Sequence, residues 1–140
     1  MKEIIHSVDI AAAPADVERA LTTQEGLAAW WTRGVAVDGD RISFTFEKGF
    51  NPVMRVEQHE AGSLVAWAPE SGAEPWMGST IRFELGERDG KTGILFRHRY
   101  GQDLPDELFG VFNFNWAHYL DSLRLLCETG TGKPFQPEAV

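Results

Sequence analysis

Four histidines, one cysteine and an unusual number of aromatic rings are the side chains in this sequence that could do chemistry. His6, His59, His98 and His118 stand far apart, with no HxxxH or HExxH pair and no cysteine beside them. A transition-metal centre needs three or four such ligands converging, so no metal is expected. There is no GxSxG, no SxxK and no triad-like grouping, and the glycines fall singly in turns instead of forming a phosphate cradle. No cofactor is expected either. Asp and Glu sit at turns, helix starts and outward strand positions, which leaves the inner rows without the paired carboxylates of general acid–base work. Cys127 has no second thiol and no base in view, so it reads as a small hydrophobe.

The aromatic residues remain. Trp30, Trp31, Phe44, Phe46, Trp67, Phe83, Phe96, Tyr100, Phe109, Phe112 and Trp116 exceed what a core of this size needs, although each taken singly is more often core than ligand wall. Met54, by its alternation, and Trp76, by its place in an apolar loop, join the same set. Together these residues predict an apolar pocket for a hydrophobic or aromatic small molecule, with polar anchors drawn from His98, Tyr100 and one of Asn113 or Asn115. Alternation puts His98 between Phe96 and Tyr100 on an apolar face. The plainer reading is a hydrogen-bonded core histidine; the sharper one is a ligand-binding or proton-transfer group.

One long helix must carry part of that wall. In LPDELFGVFNFNWAHYLDSLRLLCE (104–128), Phe109, Phe112, Trp116, Tyr119, Leu123 and Leu126 recur at three- and four-residue steps. Pro105 stands at its first turn, Asp106 and Glu107 suit the positive end of the helix dipole, and Gly130 stops it. Everything before it has another period. Lys2 to Ile10 alternates, with Ile4, His6, Val8 and Ile10 on one face, as a half-buried strand does. PADVERALTT is a short helix; Gly26 interrupts, and EGLAAWW is a second. About six strands follow from Gly34 onward. Leu64–Ala68 is one, PESGAEPWMG (69–78) is the loop after it, and Asp89-Gly90 marks a tight hairpin between the last two. The tail after Gly130 is expected to be irregular and to fray.

The order strand, two short helices, strands and one long helix specifies an α+β domain with a mostly antiparallel sheet, and 140 residues make one such domain. A 43% hydrophobic share with nine Phe and five Trp is that of a globular chain. The net charge of −8 opposes phosphate backbones and anionic lipid, so no nucleic-acid or membrane partner is expected. The charged, alternating N-terminus is unlike a secretory leader, and a cytoplasmic location is the default.

The segments VDIAAAPADVERALTTQEGLAAWW (8–31) and WAHYLDSLRLLCETGTGKPF (116–135), with the alternating strands between them, resemble the START-like (SRPBCC) helix-grip superfamily. Within it the chain is most similar to the activator of heat-shock-protein-ninety ATPase homologue group. The resemblance covers nearly the whole chain and implies a seven-stranded antiparallel sheet curved around the C-terminal helix, with a cavity between them. It also implies that the first and last strands are neighbours, bringing His6 and His98 to one face. Members include lipid carriers, aromatase/cyclases and chaperone activators. Three functions follow as expectations: a non-catalytic binding module, an aromatase/cyclase-type enzyme using His98 and Tyr100, and a chaperone-associated interaction domain.

The meander places EKGFNP (47–52), PESGAEPWMG (69–78) and Gly101–Pro105 at one end of the sheet, beside the start of the long helix. Phe50, Trp76 with Met77, and Leu104 then either gate a pocket entrance there or simply cap the core.

Overall fold

A computed structural model describes residues 2–46 and 50–137. Chain order is β1 (Glu3–Ile10), α1 (Pro14–Thr22), α2 (Gln24–Trp30), β2 (Gly34–Asp38), β3 (Arg41–Thr45), β4 (Val53–Glu60), β5 (Leu64–Ser71), β6 (Thr80–Arg88), β7 (Lys91–Arg99) and α3 (Asp106–Thr129). Among these residues the strands make one antiparallel sheet ordered β1-β7-β6-β5-β4-β3-β2. This is the expected α+β helix-grip fold, a curved sheet closed by a long C-terminal helix. β1 pairs with β7 from Glu3↔Arg99 to Ile10↔Thr92, so the first strand completes the sheet beside the last.

The period of two sorts the sheet. Ile4, Ile10, Ile42, Phe44, Met54, Ile81, Phe83, Ile94, Phe96 and His98 are buried on the inner face. Outward neighbours pair with one another across the strands, as Arg97 and Arg99 do with Glu3. The hairpin at Asp89-Gly90 forms as read: φ is 51° and 79° at the two residues, the left-handed pair that matches strand twist.

Several local expectations are corrected. Gly26 does not interrupt the helices but lies inside α2; the break is at Thr23, whose extended backbone (φ −108°, ψ 152°) ends α1 and whose hydroxyl accepts from Gly26 N at 3.0 Å. The glycine serves another purpose, since a Cβ there would lie 2.6 Å from Ala20 Cα, and without one the two helices close on each other. Pro105 is the residue before α3, not its first turn. β5 does not stop at Ala68 but continues through Pro69 to Ser71. Its pairing with β6 ends at Trp67↔Ile81, so at Pro69 the strand has β4 alone as a neighbour, and a bulge against β4 absorbs the irregularity.

The tail is irregular but fastened. Phe135 bridges to Thr32, its N–H donating to Trp31 O at 2.8 Å and its carbonyl accepting from Arg33 N at 3.0 Å. The buried Ser122 hydroxyl donates to Trp30 O at 2.8 Å and accepts from Lys133 N at 2.7 Å, joining α3, α2 and the tail. Gly132 makes this possible, because a Cβ there would sit 2.4 Å from Ala29 O. Gly132→Ala is therefore expected to release the tail and lower the thermal midpoint by several degrees, about 1–2 kcal/mol. Gly86→Ala, on open surface, should leave the midpoint unchanged, and equal midpoints in the two variants would refute the docking.

Candidate functional site

Two tryptophans at the end of α2 begin the site. Trp30 is held in the core by donating Nε1–H to Ala20 O at 2.7 Å, and Trp31 lies parallel to it at 5.6 Å between ring centroids. Trp31 stacks on Trp67 of β5 at 5.6 Å and touches Phe44 of β3 at 4.5 Å and Trp116 of α3 at 5.1 Å. One indole thus joins a helix, two strands and the long helix.

Trp116 is fixed in turn. Its Nε1–H donates to Nδ1 of His98 at 3.0 Å, and His98 Nε2 lies 2.9 Å from the Ser79 hydroxyl. An indole N–H can only donate, so Nδ1 must present a lone pair and the imidazole proton sits on Nε2, pointing at Ser79. Burial agrees, holding His98 far below the ordinary imidazole range, at about 3. A Ser–His pair at this distance invites comparison with a nucleophile and its base. The tautomer here forbids that: Nε2 donates to the serine and has no lone pair to accept its proton. His98 is a neutral bridge. Tyr100 packs on it at 4.1 Å with its hydroxyl buried, and burial keeps that phenol protonated well above its usual range. The hydroxyl lies toward the Trp116 indole, but that N–H is already spent on His98 at 3.0 Å.

In front of this layer is a cavity of about 370 Å³. Trp31, Phe46 and Phe50 close one side, and Pro75 with Trp76 covers it from the β5–β6 loop. Val111, Phe112, Asn115, Trp116 and Tyr119 of α3 form the opposite wall, and Phe135 of the tail completes it. Eight of the eleven lining residues are aromatic and none is charged. Trp76 is wedged among Phe50, Phe112 and Trp116 at centroid distances of 5.2, 5.6 and 5.8 Å.

A family model described as activator of Hsp90 ATPase homolog 1-like protein matches residues 11–128. The chain belongs to this family. A relative of known structure is the Aha1 dimer from Colwellia psychrerythraea, solved in solution, with 32% identity over 94% of this chain and 100% of its own and a TM-score of 0.84. The crystal structure of the protein MLL2253 from Mesorhizobium loti shares the fold at 16% identity and TM-score 0.76, covering 89% of this chain and 96% of that one. DynU16, a protein in the dynemicin biosynthetic locus, shares it at 15% identity and TM-score 0.78, over 99% of this chain and 51% of its own. Among curated protein sequences none matches.

Within this family member, the residues singled out from the sequence fall into two layers. Trp31, Phe46, Trp76, Phe112 and Trp116 line the cavity. Trp30, Phe44, Met54, Trp67, Phe83, Phe96, His98 and Tyr100 are buried behind them. Phe109 packs on Tyr100 at 6.0 Å, with Lys2 Nζ 5.1 Å from its ring centroid. Of the two amides, Asn115 faces the cavity; Asn113 is exposed. Phe135 joins from the tail, where only its aromatic character hinted at burial, and Val111 lies one turn from Asn115 on the helix.

His6 and His98 share the inner face but sit diagonally, Ile4 opposing His98 and His6 opposing Phe96. His6 Nε2 is buried without a hydrogen-bond partner among the described residues. Among the described residues no three His, Cys, Asp or Glu converge on a metal-sized point. No described helix is long and apolar enough to cross a membrane. Burial pushes the Cys127 thiol up to about 11, with Asp16 and Glu128 adding to the effect, so it is not a ready nucleophile.

Truncating Trp116 to Ala should cost about 3–5 kcal/mol, whereas Trp116→Phe, which keeps an aromatic ring but loses the N–H and the five-membered ring, should cost about 1–3. A Trp116→Phe variant as stable as the wild type by chemical denaturation would show that the His98 bond is idle. The pH dependence follows from the bridge. Above about pH 6.5 His98 is neutral folded and unfolded; below it the unfolded chain takes the proton first, so stability falls until the folded state protonates near 3. Between pH 6.5 and 5 the denaturation midpoint of the wild type should drop more steeply than that of His98→Gln; parallel slopes would refute the neutral bridge.

Proposed function

We propose that the protein binds a small, uncharged, hydrophobic or aromatic molecule in this cavity and releases it unchanged. The observation that carries the reading is the lining: aromatic on nearly every side, without a charged group among the described residues, around a cavity of about 370 Å³. A volume of that order suits a two- or three-ring molecule. Burying roughly 250 Å² of such a ligand at ~25 cal/mol per Å² supplies about 6 kcal/mol, equivalent to a dissociation constant of tens of micromolar at best, and association costs offset by weak stacking gains place binding in the high-micromolar range. Asn115 offers one amide for a single polar substituent. An ionic ligand would find no counter-charge among the described lining residues.

The loop carrying Trp76 is the entrance. Gly72 and Gly78, at φ 64° and 82°, bracket it. The side-chain amide of Gln102, in the segment before α3, donates to Pro75 O at 3.3 Å and Met77 O at 3.0 Å. Phe50 packs on Trp76, and Leu104 is buried at the same end; Glu47–Gly49 of the neighbouring loop lie outside the described residues. Opening requires Trp76 to leave its aromatic slot while the two glycines absorb the backbone change.

N-phenyl-1-naphthylamine, an uncharged aromatic dye, should bind saturably in the high-micromolar range and be recovered chemically intact. Asn115→Arg, at an exposed position on the rim, should weaken it at least tenfold with an unchanged unfolding midpoint. Trp76→Ala should speed dye entry and exit together in stopped-flow traces. Wild-type protein that shows no saturable uptake of the dye would defeat the reading.

A further inference from the structure

A second hollow, of about 380 Å³, lies where the β2–β3 hairpin ends short of β4. β3 pairs with β4 only from Ser43↔Val53 to Arg41↔Arg55, with one further bond from Val56 N to Asp40 O at 2.7 Å. The hairpin has then turned back through Gly39, while β4 runs on to Glu60. α1 lines the gap with Leu21 and Thr22. The floor is aliphatic, with Leu21 and Ile42 buried and Val37 and Val56 half-buried. Ile42, Phe44 and Phe46 follow one inner row, about 13 Å from first to last. Ile42 lines this hollow, Phe46 lines the aromatic cavity, and Phe44 is buried between them. Among the described residues none lines both.

Thr22, Asp40 and His59 form the polar rim. The Thr22 hydroxyl donates to Glu18 O at 2.9 Å, which leaves only its lone pairs. His59 Nε2 lies 3.1 Å from Glu18 Oε2. The Gly62 N–H also donates to Glu18 and holds its carboxyl below the usual range, so the carboxylate accepts and Nε2 carries the proton. In the neutral ring Nδ1 then keeps a lone pair. Arg41 bonds Glu70 at 2.8 Å and Arg55 bonds Glu57 at 3.0 Å, and the exposed Asp40 carboxylate is left unpaired among the described residues. Every free position on these three side chains is an acceptor. We propose that the hollow is a second binding site, which takes a small primary amine as its ammonium ion with a short aliphatic body. An ammonium group has three donors and no acceptor, the complement of this rim. The carboxylates of Glu18 and Asp40 favour a cation, whereas a carbonyl or an anion would meet lone pairs. Four branched or β-branched aliphatic residues and no ring suit an alkyl chain, in contrast to the stacking walls of the other cavity. The site stands apart from the aromatic cavity and does not depend on what that cavity binds.

Titration of the wild type with n-hexylammonium chloride, followed by amide ¹H–¹⁵N NMR at low salt, tests it, with n-hexanol as the uncharged counterpart. At about pH 8 an alkyl amine is protonated and an ordinary imidazole neutral. The amides of Val37, Gly39 and Val56 should shift saturably with the amine, and the alcohol should bind there at least about threefold more weakly. Asp40→Asn, at an exposed position, should lower the affinity for the amine about threefold, leave that for the alcohol unchanged and preserve the rest of the spectrum. No saturable shift at these amides would overturn the proposal. Amine and alcohol binding equally well, or an amine affinity untouched by Asp40→Asn, would overturn the ammonium assignment and the proposal with it. Shifts confined to α3 and Phe135 would assign the amine to the aromatic cavity and count equally against it.

Discussion

The hydrogen bond from the Trp116 indole to His98 joins the long helix to the sheet in a unique way. Aromatic and aliphatic surfaces slide over one another at little cost, whereas a buried N–H left without its acceptor costs about 1–3 kcal/mol. Trp116 is 2% exposed and His98 fully buried, so water cannot substitute for either partner. The bond sets the rotation of α3 about its axis. With Trp116 turned to His98, Leu120 and Leu123 must face the core, Val111, Asn115 and Tyr119 the cavity, and Phe114 the solvent. It sets the chemistry too, because a donor at Nδ1 makes His98 a donor at Nε2 and leaves Ser79 as an acceptor, not a nucleophile.

A hollow beside so dense a core has a physical origin. Trp31, Trp76 and Trp116 are large, flat and rigid, and they brace one another in stacked and tilted contacts with centroids 5.1–5.8 Å apart. Walls of this kind cannot collapse inward as aliphatic chains would, since each ring is already held by others behind it. Trp31 rests on Trp67 and Phe44, and Trp116 on Phe96 at 4.5 Å. The buried layer behind the cavity is therefore what keeps it open. The tail contributes in the same manner: Phe135 is held in place by main-chain bonds to Trp31 and Arg33, and only then can it form a wall.

The outer surfaces divide the work differently. The convex face of the sheet is covered by exposed ion pairs such as Arg41–Glu70 and Arg82–Glu84, each worth only ~0.2–1 kcal/mol but together keeping that face wet. The outward side of α3 has no such cover around Phe114. Val111 belongs to that bare strip and to the cavity rim at once, so whatever meets the strip also meets the rim.

Much of the fold was legible in the residues because it depends on local rules. The period of two placed the strands, the three-and-four spacing placed α3, and Asp89-Gly90 encoded its own turn. Boundaries were misread where a long-range contact overrides a local signal: Gly26 reads as a breaker until Ala20 is seen against it, and Pro69 reads as a loop until β6 is seen to leave that side of β5 free. The aromatic excess also pointed to an apolar cavity, and several of those rings do line one. Which rings form the wall and which form its support was decided only by the tertiary structure. Alternation gives Phe44, Phe46 and Phe96 equal inward status, but curvature of the sheet and rotation of α3 leave Phe46 at the open end and Phe44 and Phe96 beneath tryptophans. Residues as distant as Phe135 and Trp31 meet through main-chain bonds that no spacing rule encodes. Periodicity reports which way a side chain faces; the distance to what it faces exists only once the elements have packed.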